Sequence, residues 1–223
     1  MDKPLLNIYA GYAYTDAYWA ATEKDRKAFR QQVVKEAKTL GQAAHMYTVF
    51  PARTDIDFMI WTVGEIQEPG KAADALTLYH NTVENWRRFV KPTQVLWGIT
   101  KPSMYSRGKS EQDIDPIDGA RTKFLVIYPF SKTKEWYLMS FDSRQGMMNE
   151  HIKLGKQFFD IKQLLVYSFG LQDQEFVVSY ETDDLPKFSD LVQQLRSTEG
   201  RKYTLLDTPL IVGNHISSEE FVG

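Results

Sequence analysis

The period of the apolar positions changes several times along the chain, and each change predicts an element. Leu5 to Tyr14 is an apolar and aromatic run that predicts a first strand. Thr22 with Asp25 three positions on has the form of a capping box. Phe29, Val33, Ala37 and Leu40 then recur at helical spacing until Gly41 stops the helix. Two β-rich runs follow, Ala44 to Phe50 and Ile56 to Val63, separated by a turn with Pro51 and Asp55. The stripe Ala72, Ala75, Tyr79, Val83 and Trp86 predicts a helix over Lys71 to Phe89, ended by Pro92 before an apolar run from Gln94 to Ile99. The order is βαββαβ.

Lys101 to Gly119 is polar and turn-rich, with Pro102, Gly108 and Pro116, and reads as a linker. Beyond it the order returns. Phe124 to Tyr128 is a strand apolar on both faces, and a helix starts after Ser140 and runs to about Phe158. Strands Leu164 to Phe169 and Phe176 to Tyr180 flank a turn from Gly170 to Asp173. Phe188, Leu191, Val192 and Leu195 mark a helix over Lys187 to Arg196, and Leu210 to Val212 is a last strand. The expected fold class is α+β: two fused ferredoxin-like halves, residues 1–114 and 115–223, forming a dimeric α+β-barrel-type core. A flat ligand fits between one sheet and its helices.

Composition narrows the function classes. The net charge is −2, without long like-charge runs, which disfavours nucleic acid as a partner. Zero cysteines exclude disulfides, thiolate metal sites and cysteine nucleophiles, and no segment has the roughly 20 apolar residues of a membrane span. The start MDKPLLNIY lacks a secretory h-region, so a reducing cytoplasm is the expected location. Thirteen Phe, twelve Tyr and five Trp suit a plain aromatic core or a pocket for a flat ligand.

Candidate chemistry centres on His151. Met147, His151, Leu154 and Phe158 share one helical face, which turns the imidazole inward. A buried imidazole needs a hydrogen bond or a metal. With no second His or acidic cluster nearby, a zinc site is disfavoured. A satisfied core histidine and a proximal ligand of porphyrin iron both remain open on spacing alone. His45, His80 and His215 read as structural or surface residues. No GxSxG, GxxxxGK or GxGxxG motif is present. The segment Ile127 to Tyr137 gathers Tyr128, Lys132, Lys134, Trp136 and Tyr137. It reads either as a strand entering a solvated turn or as lysines for ligand carboxylates beside oxidisable rings.

Three segments, IYPFSKTKEWYLM, MMNEHIKLGKQF and YSFGLQDQEFVVSYETDDLPKFSDLV, resemble the chlorite dismutase and coproheme decarboxylase superfamily in order and spacing. The resemblance covers nearly all of the second half and makes His151 a proximal haem-iron ligand, with Glu199 accepting from its other ring nitrogen. Counting five back from Ser168 puts Gln163 at the distal position, with Lys162 a less favoured occupant. Chlorite dismutases carry an arginine there, and an uncharged glutamine disfavours chlorite chemistry.

The resemblance further implies Tyr128 as a radical relay to a propionate, Lys132 as a propionate neighbour and Trp136 as a pocket ring. The implied cofactor or substrate is haem b or coproheme, the implied oxidant hydrogen peroxide, and the implied assembly a homopentamer. Alternatives are a haem peroxidase, a chlorite dismutase and a haem carrier or sensor without turnover. Two expected arginines lack clear counterparts: Arg121 is the one candidate for the first, and Tyr203 stands at the second.

Overall fold

A computed structural model describes residues 3–106, 108 and 110–223. In chain order the first half holds β1 (Leu5–Tyr14), α1 (Asp16–Trp19), α2 (Glu23–Ala37), β2 (Ala43–Thr48), β3 (Phe58–Glu65), α3 (Lys71–Glu84) and β4 (Val90–Thr100). The second holds β5 (Phe124–Lys132), α4 (Lys134–Leu138), α5 (Phe141–Gly155), β6 (Lys162–Tyr167), β7 (Phe176–Thr182), α6 (Leu185–Leu195), a 3-10 helix (Glu199–Tyr203), β8 (Thr204–Leu206), β9 (Ile211–His215) and α7 (Ser218–Val222).

Each half carries the ferredoxin-like strand order, β4-β1-β3-β2 and β6-β7-β5-β9, with antiparallel neighbours. The two sheets join at both edges, β4 to β6 through Ile99↔Tyr167 and β2 to β9 through Tyr47↔His215. Eight strands thus close into a barrel, which removes the exposed edges. Gly98 permits one seam: a Cβ there would lie 2.8 Å from both Ser168 Oγ and the Tyr167 carbonyl. Ser168 Oγ instead donates to the Trp97 carbonyl at 2.6 Å.

Strand alternation sorts the core into layers. Tyr9, Trp61, Leu125, Ile127, Val166 and Val177 point into the barrel. The first half's outer face packs under α2 and α3 around Phe29, Val33, Val83 and Trp86. Val126, Val178 and Tyr180 of the second half pack outward against Phe158, Phe188 and Leu191. Thr22 Oγ1 accepts from Asp25 N at 3.2 Å, as its spacing predicts.

Pro92 does not end a helix. The helix stops at Glu84, and Pro92 lies within β4 opposite Tyr12, where the register shifts between Gly11 and Tyr12. A bulge is one of the few strand positions that accept the missing N–H. Phe50, expected in a strand, is 62% exposed in the turn beyond β2. The expected α5 end at Phe158 moves back to Gly155, and the last strand runs on to His215.

Between β4 and β5 the described residues form no helix or strand, only a bridge from Asp113 to Gln163. Gln112 Nε2 donates to the carbonyls of Gly155, Phe158 and Ile161, at 3.2, 3.0 and 3.1 Å, and so caps the C-terminal end of α5. Tyr105 stacks on Phe141 at the other end, with centroids 5.8 Å apart. The linker therefore holds α5 at both ends. Among the described residues no helix is long and apolar enough to cross a membrane.

Candidate functional site

The site forms where α5 crosses the outer face of the second sheet. Pairing Val126↔Tyr180↔Gln163 and then Tyr128↔Val178↔Leu165 puts Tyr128, Tyr180 and Gln163 on that face. Lys162 pairs with Glu181 and belongs to the opposite, interior face, so the register favours Gln163 over Lys162.

Helix α5 has no fully buried residue. Ser140 caps it by accepting from Ser143 N at 3.2 Å, and Leu154 packs onto the Phe158 and Tyr180 cluster. His151 lies one turn before Leu154 on the same side and is half-buried. Its ring makes no hydrogen bond among the described residues. Burial, and then the nearby Lys132 ammonium, lower its pKa, against a smaller opposing effect of Glu150. A neutral imidazole with free ring nitrogens is a competent metal ligand.

Lys132, at the end of β5, sends its ammonium 4.6 Å above the Trp136 ring and donates to the Gly200 carbonyl at 3.1 Å and to Thr204 Oγ1 at 3.3 Å. Burial, helped by the Arg201 charge, holds its pKa down to about 8 against the opposing effect of Glu175. Trp136 is 3% exposed, with Tyr203 5.9 Å and Tyr105 6.3 Å from its ring. Burial raises the pKa of Tyr128, and the neighbouring Tyr180 phenol and the Arg196 and Arg201 charges oppose the rise.

The structure brings His151, Lys132, Trp136, Tyr128 and Gln163 to one side of the second half. Among the described residues Glu199 makes no hydrogen bond to His151. The Glu199 carboxylate is 60% exposed and bonds Lys202 at 2.8 Å, because the 3-10 helix sets the two three residues apart on its outer side. Its backbone N–H donates to Glu150 instead, at 3.1 Å. Arg121, the one candidate for the first expected arginine, does not reach this face. It lies inside the barrel, 3.0 Å from Glu181 Oε1 and 5.4 Å from the Trp61 ring.

Arg196 and Arg201 were not singled out by sequence. Both bond Asp207, at 2.5 and 3.0 Å, and both influence Tyr128 electrostatically. Their convergence depends on the turn made by the 3-10 helix, which no local motif announces. Two concave regions elsewhere touch none of the site residues. One of about 310 Å³ borders His45 and His215, and one of about 360 Å³ borders Tyr14 and Tyr18.

The chlorite dismutase family model matches residues 22–216. The chain belongs to the chlorite dismutase family. It is 27% identical over 183 residues to the coproheme decarboxylase of Mycolicibacterium smegmatis, covering 79% of this chain and 74% of that one. Among solved structures, the chlorite dismutase-type protein TA0507 superposes with a TM-score of 0.81 at 26% identity, covering 99% and 98% of the two chains. The chlorite dismutase of Candidatus Nitrospira defluvii in complex with imidazole gives 0.80 at 18% identity, covering 98% and 93%. At that identity the likeness speaks for the fold alone. Enzymes are among the relatives, one of them named for coproheme decarboxylation.

An iron porphyrin asks the protein for few donors, because the macrocycle itself ligates the metal. Among the described residues no group of three or more His, Cys, Asp or Glu could hold a metal ion. One neutral imidazole suffices when a macrocycle supplies the other ligands. The half-buried apolar face of Tyr128, Phe130 and Leu165, clustered with Leu154 of α5, is the surface a flat ring system requires. The residues present fit the group.

Proposed function

We propose that the chain is a haem-dependent oxidoreductase that uses peroxide, with oxidative decarboxylation of coproheme propionates toward haem b as its reaction. The observation that carries this reading is the hydrogen-bond-free His151 imidazole on α5, across from a sheet face bearing Tyr128 and Gln163. His151 is the residue that would hold the iron. Bound there, an iron porphyrin supplies a redox-active metal for reaction with peroxide.

The chain's own groups divide the remaining work. The ammonium of Lys132 and the guanidinium of Arg201 offer charge-assisted hydrogen bonds to porphyrin carboxylates. Trp136 and the Lys132 stem wall the pocket and exclude water. Tyr128 is an oxidisable phenol within the electrostatic reach of Arg196 and Arg201. It gives up one electron and its hydroxyl proton together and is restored by a hydrogen atom from the propionate side chain. The carbon radical left there gives its electron to the second oxidising equivalent of the same peroxide, and carbon dioxide leaves as the vinyl double bond forms. Gln163 orients peroxide through its amide without adding charge. That neutrality disfavours chlorite dismutation, which needs a cation to hold the anionic oxidant and leaving group.

The test supplies coproheme and hydrogen peroxide and follows the porphyrin by mass spectrometry. Wild type is expected to yield the mass of haem b, and Tyr128→Phe to bind coproheme but leave both propionates intact. Conversion by Tyr128→Phe at the wild-type rate would remove the tyrosine from the reaction. An unreacted wild type would leave a peroxidase or a carrier.

A further inference from the structure

We infer that Tyr180 is a second redox-active tyrosine, exchanging a hydrogen atom with Tyr128. This rests on the proposed role of Tyr128. Tyr180 stands on β7, directly opposite Gln163 on β6 and diagonal to Tyr128 on β5, at the centre of the sheet face. The two phenol rings stack at 6.1 Å with 27° between their planes. The two phenols are close enough to influence each other's proton affinity. Tyr180 is 6% exposed and is covered by Phe188 at 5.3 Å.

The physical argument concerns the proton. Burial raises the pKa of both phenols, so both are protonated at neutral pH, and oxidation must release a proton as well as an electron. Passing an electron alone would bury a charged phenol in the apolar cluster of Val126, Phe188 and Leu191, at high desolvation cost. Passing a hydrogen atom leaves both partners neutral. With peroxide as the oxidant, Tyr128 loses one electron and its hydroxyl proton. The Tyr180 O–H bond then breaks as the Tyr128 O–H bond re-forms, and the unpaired electron resides on Tyr180. The reverse exchange returns it for attack on the propionate. Like bonds are broken and made, so the step carries no net redox change. Tyr180 thereby keeps the oxidising equivalent away from solvent.

The test loads the protein with haem b, mixes it with hydrogen peroxide and freezes it for electron paramagnetic resonance, with ring-deuterated tyrosine identifying tyrosyl signals. Wild type is expected to show two tyrosyl components and a strong coupling to an exchangeable hydrogen-bonded proton that disappears in D2O. Tyr180→Phe should show one component, no such coupling, and a lifetime shortened several-fold. Tyr128→Phe should show neither component. A Tyr180→Phe signal with wild-type shape, coupling and lifetime overturns the exchange and leaves the Tyr128 role intact. A wild type without a tyrosyl signal, or a Tyr128→Phe signal like the wild type's, overturns both. Should Tyr180→Phe not fold, the wild-type coupling alone decides, and its absence overturns the exchange.

Discussion

The Lys132 ammonium lies 4.6 Å above the Trp136 ring while its pKa is held down to about 8, so an aromatic face and two oxygen acceptors only partly replace the water it has lost. A carboxylate arriving at this nitrogen would restore the proton. At about pH 9 most of the free protein has Lys132 neutral, and pairing raises its pKa, so coproheme binding should take up a proton. Calorimetry in two buffers of different ionisation enthalpy is expected to show uptake approaching one proton in wild type and less in Lys132→Met. Equal uptake in both would place the carboxylates elsewhere.

His45 gives an acid limit to the fold. It is 6% exposed, with Nε2 2.9 Å from the Pro116 carbonyl, and burial lowers its pKa to about 4. The unfolded imidazole titrates near pH ~6.5, so unfolding takes up a proton below that value, and stability falls as the pH drops from about 6.5 toward about 4. This contribution should reach the order of 2 kcal/mol by about pH 4.5. His45→Gln keeps a donor for Pro116 without the titration. Its denaturation midpoint should change less than the wild type's over that interval, and parallel changes would discount His45.

Arg121 and Glu181 form a pair inside the barrel, with side chains 2% and 3% exposed and atoms 3.0 Å apart. Burial raises the Glu181 pKa and the Arg121 charge opposes the rise. A carboxyl whose folded pKa is raised contributes stability at low pH and loses it as the pH climbs through that pKa. Arg121→Met, which leaves this acid unpaired, should cost about 3 to 5 kcal/mol at about pH 8 and less at about pH 5. Adding Glu181→Leu should recover much of the loss. A cost independent of pH, unrelieved by the second substitution, would mean that lost packing on Trp61 dominates.

Much of the architecture was legible because period and topology are local properties. Phe124 to Tyr128 and Phe188 to Leu195 announce a two-faced strand and an amphipathic helix, and the repeated element order predicts the strand order found in each half. Pro92 misled because its usual meaning as a helix stop yields to a bulge, and a bulge depends on the strand opposite. His151, Tyr128 and Gln163 were legible as motif positions, and the register then placed Tyr128 and Gln163 on one face. Tyr180 was hidden because Phe176–Thr182 is buried on both faces, and only its pairing with β5 and β6 decides which of its residues face the site. The Lys202 partner of Glu199 and the approach of Arg201 were not legible for a common reason: the 3-10 turn decides which of its side chains meet, and the motif spacing does not encode it.

The central claim is that His151 holds an iron porphyrin, and the most direct measurement is a Soret titration of the purified protein with haem b and with coproheme. Wild type is expected to give a saturable band shift with at least one of them, and His151→Ala to lose that shift or bind at least tenfold more weakly. No saturable shift in wild type, or an unchanged shift in His151→Ala, would contradict the account.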